Sequence, residues 1–418
     1  MRKKMVILFM AGVIAAIFFI FISTSTHKKS PRVSSKEALK SLPYLTWIPA
    51  EKDIQKSGVT KYDRKRAFEG TNIYNSRNLS KAYLIDLNGN ILHTWSAKVT
   101  TDDEWHHVQV CGNGDLLAIV KDRMLIRMDW SSNIKWVSKM RYHHDIAVAL
   151  NEDIYSIVSE PDLAFYRGLP LPILNNSIVI MNSDGEIKRK ISLFDLLKEE
   201  VPLNRITGIF SWLNNPKILE EIIERKENND FMLKDGDPSN ILHTNTIKII
   251  ERDVNGLCKG GDLLICVLKL DLIGILNVEE EKIIWKWGPG DISNPHNPTL
   301  LENGNILIFD NGVDRGYSRI VELDPFKKEI VWEYRADPSE HFYSQSRGSS
   351  QRLPNGNTLI TESDKGHVFE VSHSGEIVWE FYNPEIKTDK GERAAIYRMI
   401  RIMDTEKYPW LEGLKKQL

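Results

Sequence analysis

The sequence predicts an all-β chain built as a six-bladed propeller, with an N-terminal transmembrane helix and a helical insertion between the third and fourth repeats. Three observations lead there. One phrase recurs along most of the chain, Asn-Gly or similar turns punctuate it, and the runs between turns alternate β-branched and apolar residues.

The phrase is clearest near the C-terminus. GSSQRLPNGNTLITESDKGHVFEVSHSGEIVWEF, residues 348–381, reads as four short strands joined by tight turns, the last strand carrying a Trp. HNPTLLENGNILIFDNG and then SRIVELDPFKKEIVWEY, from His296, say the same thing. Earlier copies start at His107 (HVQVCGNGDLLAIVKDRMLIRMDWSSNIKWV), at His144 (HDIAVALNEDIYSIVSE, with SIVIMNSDGEIKRKI) and at His243 (HTNTIKII, with GDLLICVLKLDLIGILNVEEEKIIWKW). A partial copy, AYLIDLNGNILHTW, opens the series at Ala82 and lacks an inner strand; AAIYRMIRI, residues 394–402, is expected to supply it and close the ring. Repeats of roughly 40–50 residues, each a four-stranded meander, are the mark of a propeller. Trp95, Trp136, Trp287, Trp332 and Trp379 close the units and read as packing residues.

Between the third and fourth units the spacing changes. SLFDLLKEEVPLN and NPKILEEIIERKE carry apolar residues at helical intervals, so residues 192 to about 236 read as a helical insertion on one face.

The N-terminus has a different character. MRKK precedes MVILFMAGVIAAIFFIFI, an uncharged run of 18 residues, long enough to span a bilayer as a helix with its N-terminus on the cytoplasmic side. A cleaved signal peptide is the alternative, but the run is long for one and no A-x-A-like site follows. The expected layout is an anchor or signal segment at 1–29, a tether at 30–69, the propeller at 70–402 and a C-terminal tail at 403–418. The propeller is then expected in the periplasm or outside the cell.

Composition bounds the partners. Of 418 residues, 55 are basic and 57 acidic, with no basic face to track a phosphate backbone, so nucleic acid is not expected. The three cysteines form no CxxC; Cys258 with Cys266 is a weak disulfide candidate. Composition leaves homo-oligomerisation open.

The histidines fall in one phase. His296 lies seven residues before Asn303, His106 seven before Asn113 and His144 seven before Asn151; His243 opens the corresponding strand of the fourth unit. First strands of propeller blades line the central channel, so four imidazoles are expected to converge there. Neighbours on a strand face opposite sides, so only one of His106 and His107, and one of His143 and His144, is expected to point inward. Converging imidazoles suit nucleophilic and acid–base handling of an anionic group. They also suit metal ligation or plain bracing between blades.

At this point HTN, HHDI, PHNPTLLENGNILIFDNG with Arg315 beyond it, and the final repeat together resemble the arylsulfotransferase family of six-bladed propellers, over roughly residues 70–402. The resemblance implies transfer of a sulfuryl group from an aryl sulfate to a phenolic acceptor, with no nucleotide donor and no cofactor, through a transient sulfohistidine. It implies His296 as the nucleophile, His243 and Asn245 as groups binding sulfuryl oxygens and activating the phenol, and His144 as a further catalytic histidine. His106, His143, Arg315 and Arg347 are the candidates for holding substrate. One position departs: the family's arginine on the strand after HTN aligns with Leu268, leaving Arg347, Arg315 or Arg398 to take its place. The other readings are an inactive descendant binding anionic or aromatic ligands, a scaffold for protein partners, and a metal site.

Overall fold

The computed structural model describes residues 47–50, 53–100, 104–120, 123–227, 236–403 and 406–415. Within them hairpin after hairpin builds six antiparallel sheets of the same plan. The second blade is Trp105–Val110, Leu116–Val120, Met124–Met128 and Ile134–Ser138; the third is Tyr142–Val148, Ile154–Tyr166, Leu169–Met181 and Ile187–Ser192. The fourth runs Thr244–Ile249, Leu263–Val267, Leu272–Asn277, Lys282–Trp287; the fifth His296–Leu300, Ile306–Asp310, Arg319–Asp324, Glu329–Tyr334; the sixth Ser349–Arg352, Thr358–Glu362, His367–Val371, Ile377–Tyr382. The first blade takes Thr71–Ser76, Lys81–Ile85 and Ile91–Ser96 from the N-terminal side and Ile396–Ile402, as its innermost strand, from the other end of the chain. That is the closure the sequence predicts.

Stacking blades against one another explains the composition of their middle strands. Along Leu116–Val120, Leu116, Ala118 and Val120 point into the core shared with the first blade, while Leu117 and Ile119 point into the core shared with the third. A strand covered on both faces is apolar at every position rather than at alternate ones. Six such cores fill the six spaces between neighbouring blades.

The outer strands are pinned by side-chain donors. Trp136 Nε1 donates to Ser183 O at 2.9 Å, Trp285 Nε1 to Pro325 O at 3.0 Å, Trp332 Nε1 to His373 O at 3.3 Å and Trp379 Nε1 to Leu87 O at 2.8 Å. Each bond joins one blade to a turn of the next, contributing about 1 kcal/mol net. In the fourth blade Trp285 makes it, whereas Trp287 packs in the core.

The upper face is the one at which the innermost strands begin. Above it the third blade's middle hairpin, paired over thirteen residues per strand from Ile154↔Met181 to Tyr166↔Leu169, runs on past its last inner-strand partner at Val158. Ala164, Tyr166, Leu171 and Ile173 of that extension share a core with Leu193, Phe194, Leu197, Val201, Ile206 and Ile209. These last six come from the expected insertion, which forms helices at Leu193–Leu197, Leu203–Leu213 and Pro216–Glu227. Hairpin and helices make a cap over the third and fourth blades.

Three expectations need correction. The described part of the expected tether, residues 47–50 and 53–69, is not a free linker: Trp47–Pro49 pairs with Glu392–Ala394, and Gly58–Tyr62 adds a fifth strand to the sixth blade. The tail carries a helix, Trp410–Lys415, whose Leu411 is buried in the core of the first and second blades. All three cysteines are free and buried, so Cys258 and Cys266 form no disulfide. The anchor reading of residues 1–29 lies outside the described residues; among the described ones no helix is long and apolar enough to cross a membrane.

Candidate active site

Every blade delivers a polar side chain to the upper end of its innermost strand. They are His106 from the second blade, His143 and His144 from the third, His243 from the fourth, His296 from the fifth, Arg347 from the sixth, and Tyr397 and Arg398 from the closing strand of the first. Five of the six inner strands change register there, at Trp105/His107, His143/Ile146, Thr244/Thr246, His296/Thr299 and Ile396/Met399. A bulge bends the strand and re-aims its side chains. His144, inside its bulge, and His243, just before its strand, hold φ of 64° and 49°, values a non-glycine residue keeps only when its surroundings enforce them.

The rings meet. His144 Nε2 lies 2.9 Å from His243 Nε2, and His106 and His144 stand edge to face with centroids 5.0 Å apart. His143 lies 4.2 Å from His144 and 5.7 Å from His243, centroid to centroid. Both members of the His143–His144 pair therefore belong to the cluster. Strict alternation fails because the bulge puts His144 in the left-handed region. His107 instead lies 3.4 Å from Asp145 Oδ1 through its Nε2.

Tautomers follow from the hydrogen bonds. Asn240 accepts the His243 backbone N–H through Oδ1 at 3.1 Å, so its Nδ2 faces His243 Nδ1 at 2.7 Å. The His243 proton is then on Nε2 and donates to His144 Nε2; the His144 proton is on Nδ1, 3.3 Å from the Tyr397 hydroxyl. His296 is fixed separately: its Nδ1–H donates to Asn311 Oδ1 at 2.8 Å and to Asn294 O at 3.1 Å. Its Nε2 lone pair is buried and has no hydrogen-bond partner.

None of the cluster histidines is more than 7% exposed. Burial pushes the His296 pKa down to about 4, outweighing the bonds to Asn311 and Asn294 that favour a charged ring. Burial likewise holds His106 and His144 well below the ordinary imidazole value, helped by Arg77 and Arg347 at His106 and by the neighbouring imidazoles at His144. These rings are neutral at physiological pH.

Beneath them sits an ion network. Asp145, fully buried, accepts from Arg398 Nη1 at 2.8 Å and from Ile247 N at 3.2 Å, with Lys248 Nζ 3.9 Å away. Burial alone raises a carboxyl pKa, but Arg398 and Lys248 hold Asp145 well below the usual range.

Several sequence expectations are placed elsewhere. Asn245 spends its amide on the backbone, donating to Pro295 O at 2.9 Å, so it positions the strand of His296 from the fourth blade. Arg315 is engaged by Asp310, at 2.9 Å, and lies over the Tyr317 ring. Arg398 is committed to Asp145; Arg347, 3% exposed, is itself paired with Asp364 Oδ1 at 3.1 Å, but its charge bears on both His106 and His296. Leu268 opens a helical turn, Leu268–Leu270, and its backbone N–H donates to His243 O at 3.2 Å. Arg77, Asn240, Asn311 and Tyr397 escaped the sequence reading. Arg77 and Asn240 follow or precede strands rather than standing in the histidine phase, whereas Tyr397 stands in the closing strand the sequence names. Among the described residues no group of three or more His, Cys, Asp or Glu side chains is arranged to hold a metal ion, so the metal reading finds no ligand set there.

The family model described as arylsulfotransferase (ASST) matches residues 127–384, well over half of the chain and four of the site's blades. The chain belongs to the arylsulfotransferase family. Among solved structures, an arylsulfotransferase-family chain of this shape is similar to a protein of unknown function from Bacteroides caccae, at 12% identity and a TM-score of 0.52 over 81% of this chain and 100% of that one. That likeness shows the propeller fold alone. Virginiamycin B lyase from Staphylococcus aureus is more distant, at 13% identity and a TM-score of 0.45 over 82% of this chain and 89% of that one. No curated protein matches the sequence.

Proposed function

We propose that the protein transfers a sulfuryl group from an aryl sulfate to a phenol, with His296 as the covalent nucleophile. One observation carries the reading: Asn311 and Asn294 take the proton side of the ring, which leaves Nε2 as a bare lone pair on a neutral imidazole. Attack on sulfur makes that ring cationic. The two carbonyl oxygens at Nδ1–H then bind it more strongly than they bind the resting ring, which lowers the barrier rather than merely deepening the ground state. Arg347, aided by Arg77 beside His106, takes the place of the arginine that Leu268 replaces and faces the sulfuryl oxygens, while His243 and His144, their ring protons already donated to His144 and Tyr397, form the wall of the cradle. The acceptor phenol meets the sulfohistidine in the same place, giving ping-pong kinetics.

The test is release of nitrophenol from 4-nitrophenyl sulfate by the purified protein, accelerated by an added phenol. His296→Ala is expected to reduce it to background; a variant that kept wild-type transfer would reject the reading. Leu268 supports a second reading, a propeller that binds aryl sulfates without turning them over. Calorimetric binding of 4-nitrophenyl sulfate with no nitrophenol release would favour it.

We also propose that residues 5–22 anchor the chain and that the propeller lies on the extracytoplasmic side, as the MRKK flank and the unbroken apolar run support. Alkaline carbonate would then leave the protein in the membrane fraction, and protease added outside the cytoplasm would digest it.

A further inference from the structure

Sulfuryl transfer from a poor leaving group needs an acid for the departing phenolate as well as a nucleophile, and burial holds His106, His144 and His296 neutral. We propose that Tyr397 is that acid and base: it gives its phenolic proton to the leaving aryl oxygen and recovers one from the acceptor phenol. The assignment rests on the sulfuryl-transfer reading and deepens it.

The geometry comes from the hydrogen-bond chain. Asn240 fixes the proton of His243 on Nε2, His243 donates to His144 Nε2, and His144 donates from Nδ1 to the Tyr397 oxygen at 3.3 Å. Every donor in the chain points the same way. Tyr397 accepts from His144 and, being a hydroxyl, is itself a proton donor. Its ring lies 4.8 Å from that of His106 and 5.1 Å from that of His107, and it is 3% exposed. His144 is the shared neighbour: its Nδ1 reaches the Tyr397 hydroxyl, and it lies close enough to His296 for a proton on either ring to disfavour one on the other.

The step balances. As the His296 Nε2–sulfur bond forms, the sulfur–aryl oxygen bond breaks and its electron pair leaves on oxygen, which takes the Tyr397 proton. The resulting tyrosinate keeps the His144 Nδ1–H bond and has the Arg398 guanidinium 5.7 Å from its ring. In the second half the acceptor phenol returns a proton to that tyrosinate as its oxygen bonds sulfur, and the nitrogen–sulfur pair goes back to Nε2. Proton exchange between two phenols is close to even in energy, the condition under which general acid–base catalysis works in both directions.

The experiment follows the first half-reaction in the full chain, as the burst of phenol on mixing with excess donor. Phenyl sulfate has a poor leaving group that needs a proton; 4-nitrophenyl sulfate has one that departs as the anion. Tyr397→Phe is expected to slow the phenyl sulfate burst by roughly 10²–10⁴-fold and the nitrophenyl burst far less. In the unsubstituted chain D2O is expected to slow the phenyl sulfate burst alone. Equal slowing of both donors in a variant that melts like wild type, or no slowing of either, overturns the role of Tyr397; so does an isotope effect shared by both donors. A wild-type chain with no burst from either donor sinks the sulfuryl-transfer reading itself, and this assignment with it.

Discussion

His296 and Asn311 are joined at 2.8 Å, Nδ1–H to Oδ1, while the Asn311 amide donates to the backbone oxygens of Ser344 and Arg347 at 2.6 and 2.8 Å. One side chain thus sets both the tautomer of His296 and the course of the segment bearing Arg347. Asn311→Ala is expected to lower kcat/KM by about 10²-fold, the scale of a small misplacement of reacting groups. Asn311→Asp is expected to be worse than its size suggests, because it loses both N–H donors and favours the protonated, non-nucleophilic ring. Steady-state kinetics of the two variants check this.

On the proposed mechanism, the acid limb of activity follows from the burial of His296. With its pKa near 4, His296 stays neutral far below the usual imidazole range, so kcat/KM is expected to fall only as pH drops toward 4. Stability has the same sign. Unfolding returns the ring to a pKa of about 6.5, so between about 6.5 and 4 the unfolded chain binds the extra proton. His296 and His107, the latter also near 4 through burial, each contribute a loss approaching 1.4 kcal/mol per pH unit in that window. Melting curves for wild type and His296→Gln should converge as pH falls.

His367 has the opposite sign. Burial disfavours its charge, but Glu362 at 2.9 Å and Glu380 at 3.1 Å outweigh it and raise the pKa. Its folded-state proton therefore stabilises fully below about 6.5, and that contribution is lost as pH rises through the raised value. Glu380 also accepts from Thr60 at 2.6 Å, tying the fifth strand of the sixth blade to this pair. The melting-temperature advantage of wild type over His367→Gln is expected to be largest in mild acid and to shrink on going alkaline.

Asp145 tests the floor of the site. Removing it as Asp145→Ala leaves the Arg398 guanidinium buried without its carboxylate and is expected to cost about 3–5 kcal/mol in urea unfolding. Asp145→Asn keeps an acceptor for Ile247 N and is expected to cost less.

Much of this was legible in the chain because repetition makes a weak signal strong. Asn-Gly turns and strand-length apolar runs mark the blades, and residues 394–402 announce the closing strand. His106, His144, His243 and His296 stand in phase because blades are equivalent, so they converge as expected. Bulges were not legible: register shifts such as that between His143 and Ile146 come from crowding around the axis, and they bring in His143 against simple alternation. Asn245 looked like a ligand by resemblance, but its partner Pro295 is fifty residues away and only the fold brings them together. Arg315 has a carboxylate five positions earlier, Asp310, which claims it first. Gly58–Tyr62 pairs with Ile377–Tyr382, too distant in sequence for any local pattern to reveal.

The strand Ile396–Ile402 has a consequence for biogenesis. A ribosome makes the other five innermost strands before this one, so a growing chain holds His296 long before it holds Tyr397 and the counter-ion of Asp145. The act that seals the circle thus also delivers Tyr397 to the histidine cluster and Arg398 to Asp145, so a chain cut short before this strand lacks the seal and both side chains at once.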